Sequence, residues 1–311
     1  VPYYTYASAL SLWSCLLPAN AAQEDVAVGE ELLRNVVLPR VLTGKHLASG
    51  EEIELARSFF SLVVSQSHFD EILGPALGLK LRANPDASLA TVGSILACLD
   101  PTKVCVDSHL EKGDQASLLL PSVMKPLRSP KAEYREMASS IIVTLTQLSS
   151  LEGSTSGVER IVVSLSQAIQ GGKASASSVA LTTPELRIGA YRALGEIAKQ
   201  IMSKTKDSTT LSQAYNATLD ALTTALAKEP TAETTAKELG YEALLHWMAL
   251  AKQYMDTMKK GYECGLAYLA QPLVDASRTN SGTKKSSALS AGTGSEVRFR
   301  LGSLLLLTTV V

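Results

Sequence analysis

The chain has 311 residues, 46% hydrophobic, 5% aromatic and 19% charged, with a formal net charge of -1. A composition rich in Ala and Leu and poor in aromatics favours packing between helices over an aromatic β core. The near-zero charge argues against a surface that binds nucleic acid everywhere, while leaving room for a local basic patch.

Taken in chain order, the opening VPYYTYASALSLWSCLLPANAAQ has an apolar middle and a small-residue end but lacks the basic start of a signal peptide. Tyr3 to Leu17 therefore reads as a helix. The stretches 24-EDVAVGEELLRNVVLPRVL-42 and 51-EEIELARSFFSLVV-64 make a pair of amphipathic helices. No run of about 18 apolar residues occurs, so no membrane span is expected. A rhythm then sets in. The amphipathic runs 68-HFDEILGPALGLKL-81, 115-QASLLLPSVMKPL-127, 158-VERIVVSLSQAI-169 and 211-LSQAYNATLDALTTAL-226 are each followed by a proline-opened helix, at Pro85, Pro130, Pro184 and Pro230. Successive prolines are 45, 54 and 46 residues apart.

In 184-PELRIGAYRALGEIAKQI-201 the residues Leu186, Ala190, Ala193, Leu194, Ile197 and Ile201 share one face at helical spacing. Pro184 can occupy the first turn without losing a bond, and Glu185 faces the positive end of the helix dipole. Ala190, Ala193 and Gly195 allow a neighbouring helix to approach closely, so this helix is expected to pack on two sides. The tripeptide Glu-x-Arg recurs at Glu133–Arg135, Glu185–Arg187 and Glu296–Arg298.

Hairpins with this period predict an all-α fold, an α-solenoid of HEAT or armadillo type; ankyrin and tetratricopeptide units are too short. A non-repetitive helical bundle is the alternative. The predicted organisation is an array of about five to six helix pairs over residues 1–276, a flexible Gly/Ser/Lys loop over 277–295, and over 296–311 a helix of the next repeat, so that the array is expected to continue beyond Val311. Residues 171–184 read as a Gly/Ser-rich connection inside one hairpin, which explains the longest proline spacing.

Chemistry is sparse. Cys15, Cys98, Cys105 and Cys264 form no Cys-x-x-Cys pair, which suggests free thiols in a reducing compartment. His46, His68, His109 and His246 lack metal-ligand spacing, and His246 beside Trp247 reads as a core residue. Gly171-Gly172-Lys173 lacks the upstream glycine of a phosphate loop and has Ala174 where Ser or Thr is needed. Asn216-Ala-Thr218 fits a glycosylation acceptor but falls within a predicted helix, where a chance match is the better reading. No catalytic residue, metal ligand or cofactor is predicted, and the chain is not expected to be an enzyme. The local charge of interest is basic. Lys125, Arg128, Lys131 and Arg135 surround one hairpin turn, while Lys80 and Arg82 occupy the corresponding turn of the hairpin before. Equivalent turns of stacked repeats line up along one edge, which would make these six a phosphate-binding ridge. Alternatively, Lys125 and Arg128 serve a helix C-terminus, and Arg135 pairs with an acidic neighbour.

The segments 67-SHFDEILGPALGLKLRANPDASLATVGSILACL-99, 120-LPSVMKPLRSPKAEYREMASSIIVTLTQLSS-150 and 158-VERIVVSLSQAIQGGKASASSVALTTPELRIGAYRALGEIA-198 are similar, in their order of landmarks, to the N-terminal region of the general-control translational activators. These are giant HEAT-repeat scaffolds that activate the kinase of initiation factor 2 alpha during amino-acid starvation. The resemblance implies a non-catalytic, cytoplasmic, ribosome-associated segment with an ATP-binding-cassette coactivator among its partners. Kinase contact in that family belongs to other parts of the protein and is not carried to these residues. Neither a membrane nor DNA is an expected partner. Another HEAT scaffold, such as a nuclear transport receptor or a phosphatase scaffold, is the alternative.

Overall fold

Every ordered element in the computed structural model is helical, and no strand occurs among the described residues. Those residues are 31, 35, 60, 64–110, 118–151, 156–171, 179–204, 211–230, 234–279 and 300–304, with side chains described as far as 271 in the last long helix. Apart from residues 31, 35, 60 and 64, the predicted elements over 3–17, 24–42 and 51–64 lie outside them, as do residues 280–295 of the predicted 277–295 loop and the Glu296–Arg298 tripeptide. The chain divides into two compact units, Val1–Ile161 and Val162–Val311.

The continuously described part of the first unit, from residue 64, opens on a reciprocal cap. Ser65 Oγ accepts the His68 N–H, and His68 Nδ1 accepts the Ser65 N–H at 3.2 Å. After this single turn, Gln66–His68, the backbone widens into a π-helical stretch, Phe69–Leu73, before α1, Gly74–Ala83. The wide turn lies directly ahead of Pro75, which has no N–H to give and whose ring crowds the carbonyl four residues back. Helix α2, Pro85–Ala97, opens on its proline, and Asn84 Oδ1 caps the Ala87 N–H. Helix α3, Leu119–Met124, tightens into a 3-10 turn, Lys125–Arg128, and leads to α4, Ala132–Gln147. Its buried stripe of Ala138, Ile141, Ile142 and Leu145 has the period of one helix face.

Packing follows a two-layer rule: α1 lies on α3, and α2 lies on α4. Gly93, late in α2, faces Ile141, late in α4, and in the segment after α2 the Val106 N–H donates to the Leu148 carbonyl at 3.0 Å, so these helices run in parallel. The α1–α2 and α3–α4 turns therefore sit together at the opposite end of this unit.

The division between the units falls within α5, Gly157–Gln170. The second unit contains α6, Pro184–Lys204; α7, Tyr215–Ala227; α8, Thr235–Gln253; and α9, Met255–Thr279. The same rule applies, with α6 on α8 and α7 on α9. Lys228 Nζ donates to the Gln170 carbonyl at 3.2 Å, so the ends of α5 and α7 coincide. At their other end, Asn216 Nδ2 donates to the Thr257 carbonyl and Asn216 Oδ1 accepts the Gly261 N–H, both at 2.8 Å. This amide joins α7 to α9, which supports the reading of Asn216-Ala-Thr218 as a chance sequon.

Helix α6 is packed on more than one side: Ala190, Ala193, Leu194, Gly195, Ile197 and Ile201 are all buried. Gly195 faces the Ala243 backbone, and a Cβ at Gly240 would come within 2.7 Å of Leu226 and 3.3 Å of Tyr191. Trp247 is fully buried and donates from Nε1 to the Leu194 carbonyl at 2.9 Å.

Several expectations need correction. Pro85 and Pro184 open their helices, but Pro130 and Pro230 lie outside theirs. Thr234 caps α8 through its side chain instead, and Lys131 begins α4 without a side-chain cap. Helix α9 runs to Thr279, past the predicted loop start at residue 277. His246 is half-buried at the helix surface, 3.6 Å from Glu242, whereas His68 and His109 are buried.

Candidate interaction edge

The six basic residues picked out by sequence all belong to the first unit and to its hairpin-turn end, yet they do different things. Arg135 is half-buried, and its Nη1 donates to the carbonyls of Ser129 at 2.7 Å and Pro130 at 3.0 Å. It closes the turn that precedes its own helix. Lys131 is exposed, with its ammonium 5.1 Å from the Tyr134 ring centre, a cation–π contact. Arg82, Lys125 and Arg128 are exposed and Lys80 is half-buried; none of these four makes an ion pair among the described residues. Lys80 and Arg82 close the last turn of α1, and Lys125 and Arg128 that of the 3-10 turn, where a cation is favoured by the helix dipole. The acidic residues Asp86 and Glu133 occupy the first turns of α2 and α4.

The clasp made by Arg135 is repeated. Arg187, also the fourth residue of its helix, donates from Nη1 to the carbonyls of Leu181 and Thr182, each at 3.2 Å. Ser88, fourth in α2, donates to the Lys80 carbonyl at 3.0 Å, and Lys237, third in α8, donates to the Pro230 carbonyl at 3.2 Å. Each ties down a carbonyl near the place where the previous helix or turn ends, where such groups run short of partners, although the Lys80 carbonyl also accepts the Asn84 N–H. This is the physical meaning of the Glu-x-Arg recurrence in α4 and α6: the arginine is a turn fastener. Sequence alone offered the register but not the partner.

Arg187 does more. Its Nε lies 2.6 Å from Glu229 Oε1, and Tyr191 Oη donates to the same oxygen at 2.9 Å. The arginine side chain is 6% exposed and the glutamate 0%. Burial pulls the Arg187 guanidinium down, but Glu229 outweighs this and holds it above its ordinary value. Burial first, and then the Glu229 charge, push the Tyr191 hydroxyl far up, so it remains a donor. No pattern in the sequence pointed to Glu229.

At the other end of the first unit, Asp70 collects the polar groups. Ser108 Oγ donates to its Oδ1 at 2.9 Å, His109 Nε2 lies 2.9 Å from that oxygen, and Gln66 Nε2 donates to Oδ2 at 3.0 Å. Serine, histidine and aspartate meet here, but the hydroxyl and the ring share the carboxylate, so the ring is not placed to take the hydroxyl proton. Nearby, Asp107 accepts the N–H groups of Ser150 and Gly157 at 3.2 and 3.1 Å, and its carbonyl accepts from Arg160 Nη1 at 3.0 Å. Among the described residues no group of three His, Cys, Asp or Glu side chains is placed to hold a metal ion. Cys98, Cys105 and Cys264 are free thiols. Among the described residues, too, no helix is long and apolar enough to cross a membrane.

No protein-family model, curated protein or solved structure matches the chain.

Proposed function

We propose that the chain is a non-catalytic segment of a HEAT-type α-solenoid scaffold that docks on ribosomes, as part of a translational activator that helps switch on the kinase of initiation factor 2 alpha in amino-acid starvation. The observation that carries the scaffold reading is the packing within each unit: every second helix stacks on its like, α1 on α3, α2 on α4, α6 on α8 and α7 on α9. Stacked hairpins touch only their neighbours and leave long faces free for a partner. The shared turn fasteners support the idea of one unit repeated. Ribosome association, a cytoplasmic setting and an ATP-binding-cassette coactivator rest on the similarity of segments 67–99, 120–150 and 158–198 to the general-control activators. Kinase contact is assigned to other parts of the full protein.

The test is ribosome co-sedimentation of the purified chain, paired with cross-linking mass spectrometry on ribosomes from starved and fed cells. Cross-links from the exposed lysines to ribosomal proteins support the reading. A chain that stays in the supernatant at low salt overturns it, and capture of an import GTPase or a phosphatase subunit would place it among other HEAT scaffolds.

A further inference from the structure

We infer that the turn edge of the first unit is a binding surface for the sugar-phosphate backbone of RNA, and that Lys80, Arg82, Lys125 and Arg128 carry it while Arg135 does not. The choice of RNA among phosphate polymers rests on the translational reading above; the edge itself rests on geometry. Four cations lie on two neighbouring turns at one end of stacked helices, with no ion pair among the described residues. Helix stacking places such turns about 8–10 Å apart. One strand of a nucleic-acid duplex carries a phosphate per roughly 3.4 Å of axis, and an extended single strand spaces them more widely, so cations on two adjacent turns meet separate phosphates of one strand. Lys131 adds a weaker contact, since its ammonium already rests on Tyr134.

The rest of the edge decides against a lipid surface. A membrane-docking patch needs large apolar side chains beside its cations, yet Pro126 and Leu127 between Lys125 and Arg128 are both buried. Leu79, 52% exposed, stands alone on α1. The edge therefore offers charge without an insertion element. Contact with phosphates alone carries no base preference, so binding should be tolerant of sequence.

Fluorescence anisotropy with a mixed-sequence single-stranded RNA tests this across a salt series. The wild-type chain should bind with log K falling by about three per log unit of salt, roughly 0.7 for each of four phosphates. That corresponds to an affinity loss of about 50-fold between about 50 and 200 mM salt. The fourfold variant Lys80→Gln, Arg82→Gln, Lys125→Gln, Arg128→Gln, checked for unchanged helical circular dichroism, should lose nearly all of that slope. Arg135→Met should keep the slope even as it loosens the turn. A fourfold variant that retains the wild-type slope overturns the inference, as does binding only to phosphatidylserine vesicles and not to RNA. A chain that ignores RNA but sediments with ribosomes sinks the edge and leaves the scaffold reading standing. RNA binding through these four residues without ribosome association does the reverse.

Discussion

Replacing Arg187 by alanine should be among the most damaging single changes in the second unit. The substitution leaves Glu229, with a side chain of 0% exposure, as a carboxylate supported only by Tyr191. Its second oxygen, Oε2, has no hydrogen-bond partner even with the arginine present. The buried Leu181 carbonyl loses its donor as well, whereas Thr182 is exposed and can be rehydrated. Breaking one side of a buried ion pair costs about 3–5 kcal/mol, a large share of the roughly 5–15 kcal/mol that holds a domain folded. Urea denaturation followed by Trp247 fluorescence reads this unit, because that indole is buried in α8. With a slope of about 2 kcal/mol per molar urea, the midpoint should fall by about 2 M. The paired variant Arg187→Met with Glu229→Leu removes both charges and should recover about 2 kcal/mol of the loss. The contribution of Arg187 in the wild type should stay flat across neutral pH. The folded arginine titrates above its ordinary value, so its contribution is fully present throughout the acid and neutral range and disappears only in strong alkali, as pH rises past the raised folded value. A loss below about 1 kcal/mol, or a double variant whose loss is the sum of the singles, would refute the account of a coupled buried pair.

Two further outcomes concern the first unit. Gly157→Ala should destabilise it by about 2–3 kcal/mol in thermal or urea unfolding, because a Cβ would overlap the Asp107 carboxylate and lie 2.9 Å from the Ser149 Cβ, displacing the acceptor of two backbone N–H groups. Acid should loosen the same unit through Asp70. Burial pushes this carboxyl up, but hydrogen bonds from Gln66, Ser108 and His109 prevail and hold it below its ordinary 3.8. Its contribution is therefore present above 3.8 and lost as pH falls through the lower folded value. Hydrogen exchange at Asp107–His109 should quicken over that window in the wild type, and in Asp70→Asn should already be fast at neutral pH.

The helices were legible because helix formation and close packing leave a local imprint. Apolar positions return every three or four residues, and small residues mark close approaches. Pro85 and Pro184 stand where only an unneeded N–H is lost. Where two signals compete the reading slipped: Pro130 and Pro230 keep the spacing, but they stiffen the chain ahead of helices that start only at Ala132 and, behind the Thr234 cap, at Thr235. The six cations of the edge were all visible in sequence. Their sorting was not, because a guanidinium folded back onto Ser129 and one left facing solvent belong to the same residue type.

Sequence by itself determined the all-helical class and the order of the helices among the described residues, since each depends on neighbours within a few turns of chain. Tertiary structure decided which charges are spent and which are free. The partner of Arg187 is Glu229, 42 positions along the chain, and Asp107 reaches Gly157 across 50. Such pairs form only after stacking brings separate hairpins together, and desolvation, which depends on everything packed around a group, then makes one ion pair structural and leaves another cation available to a partner.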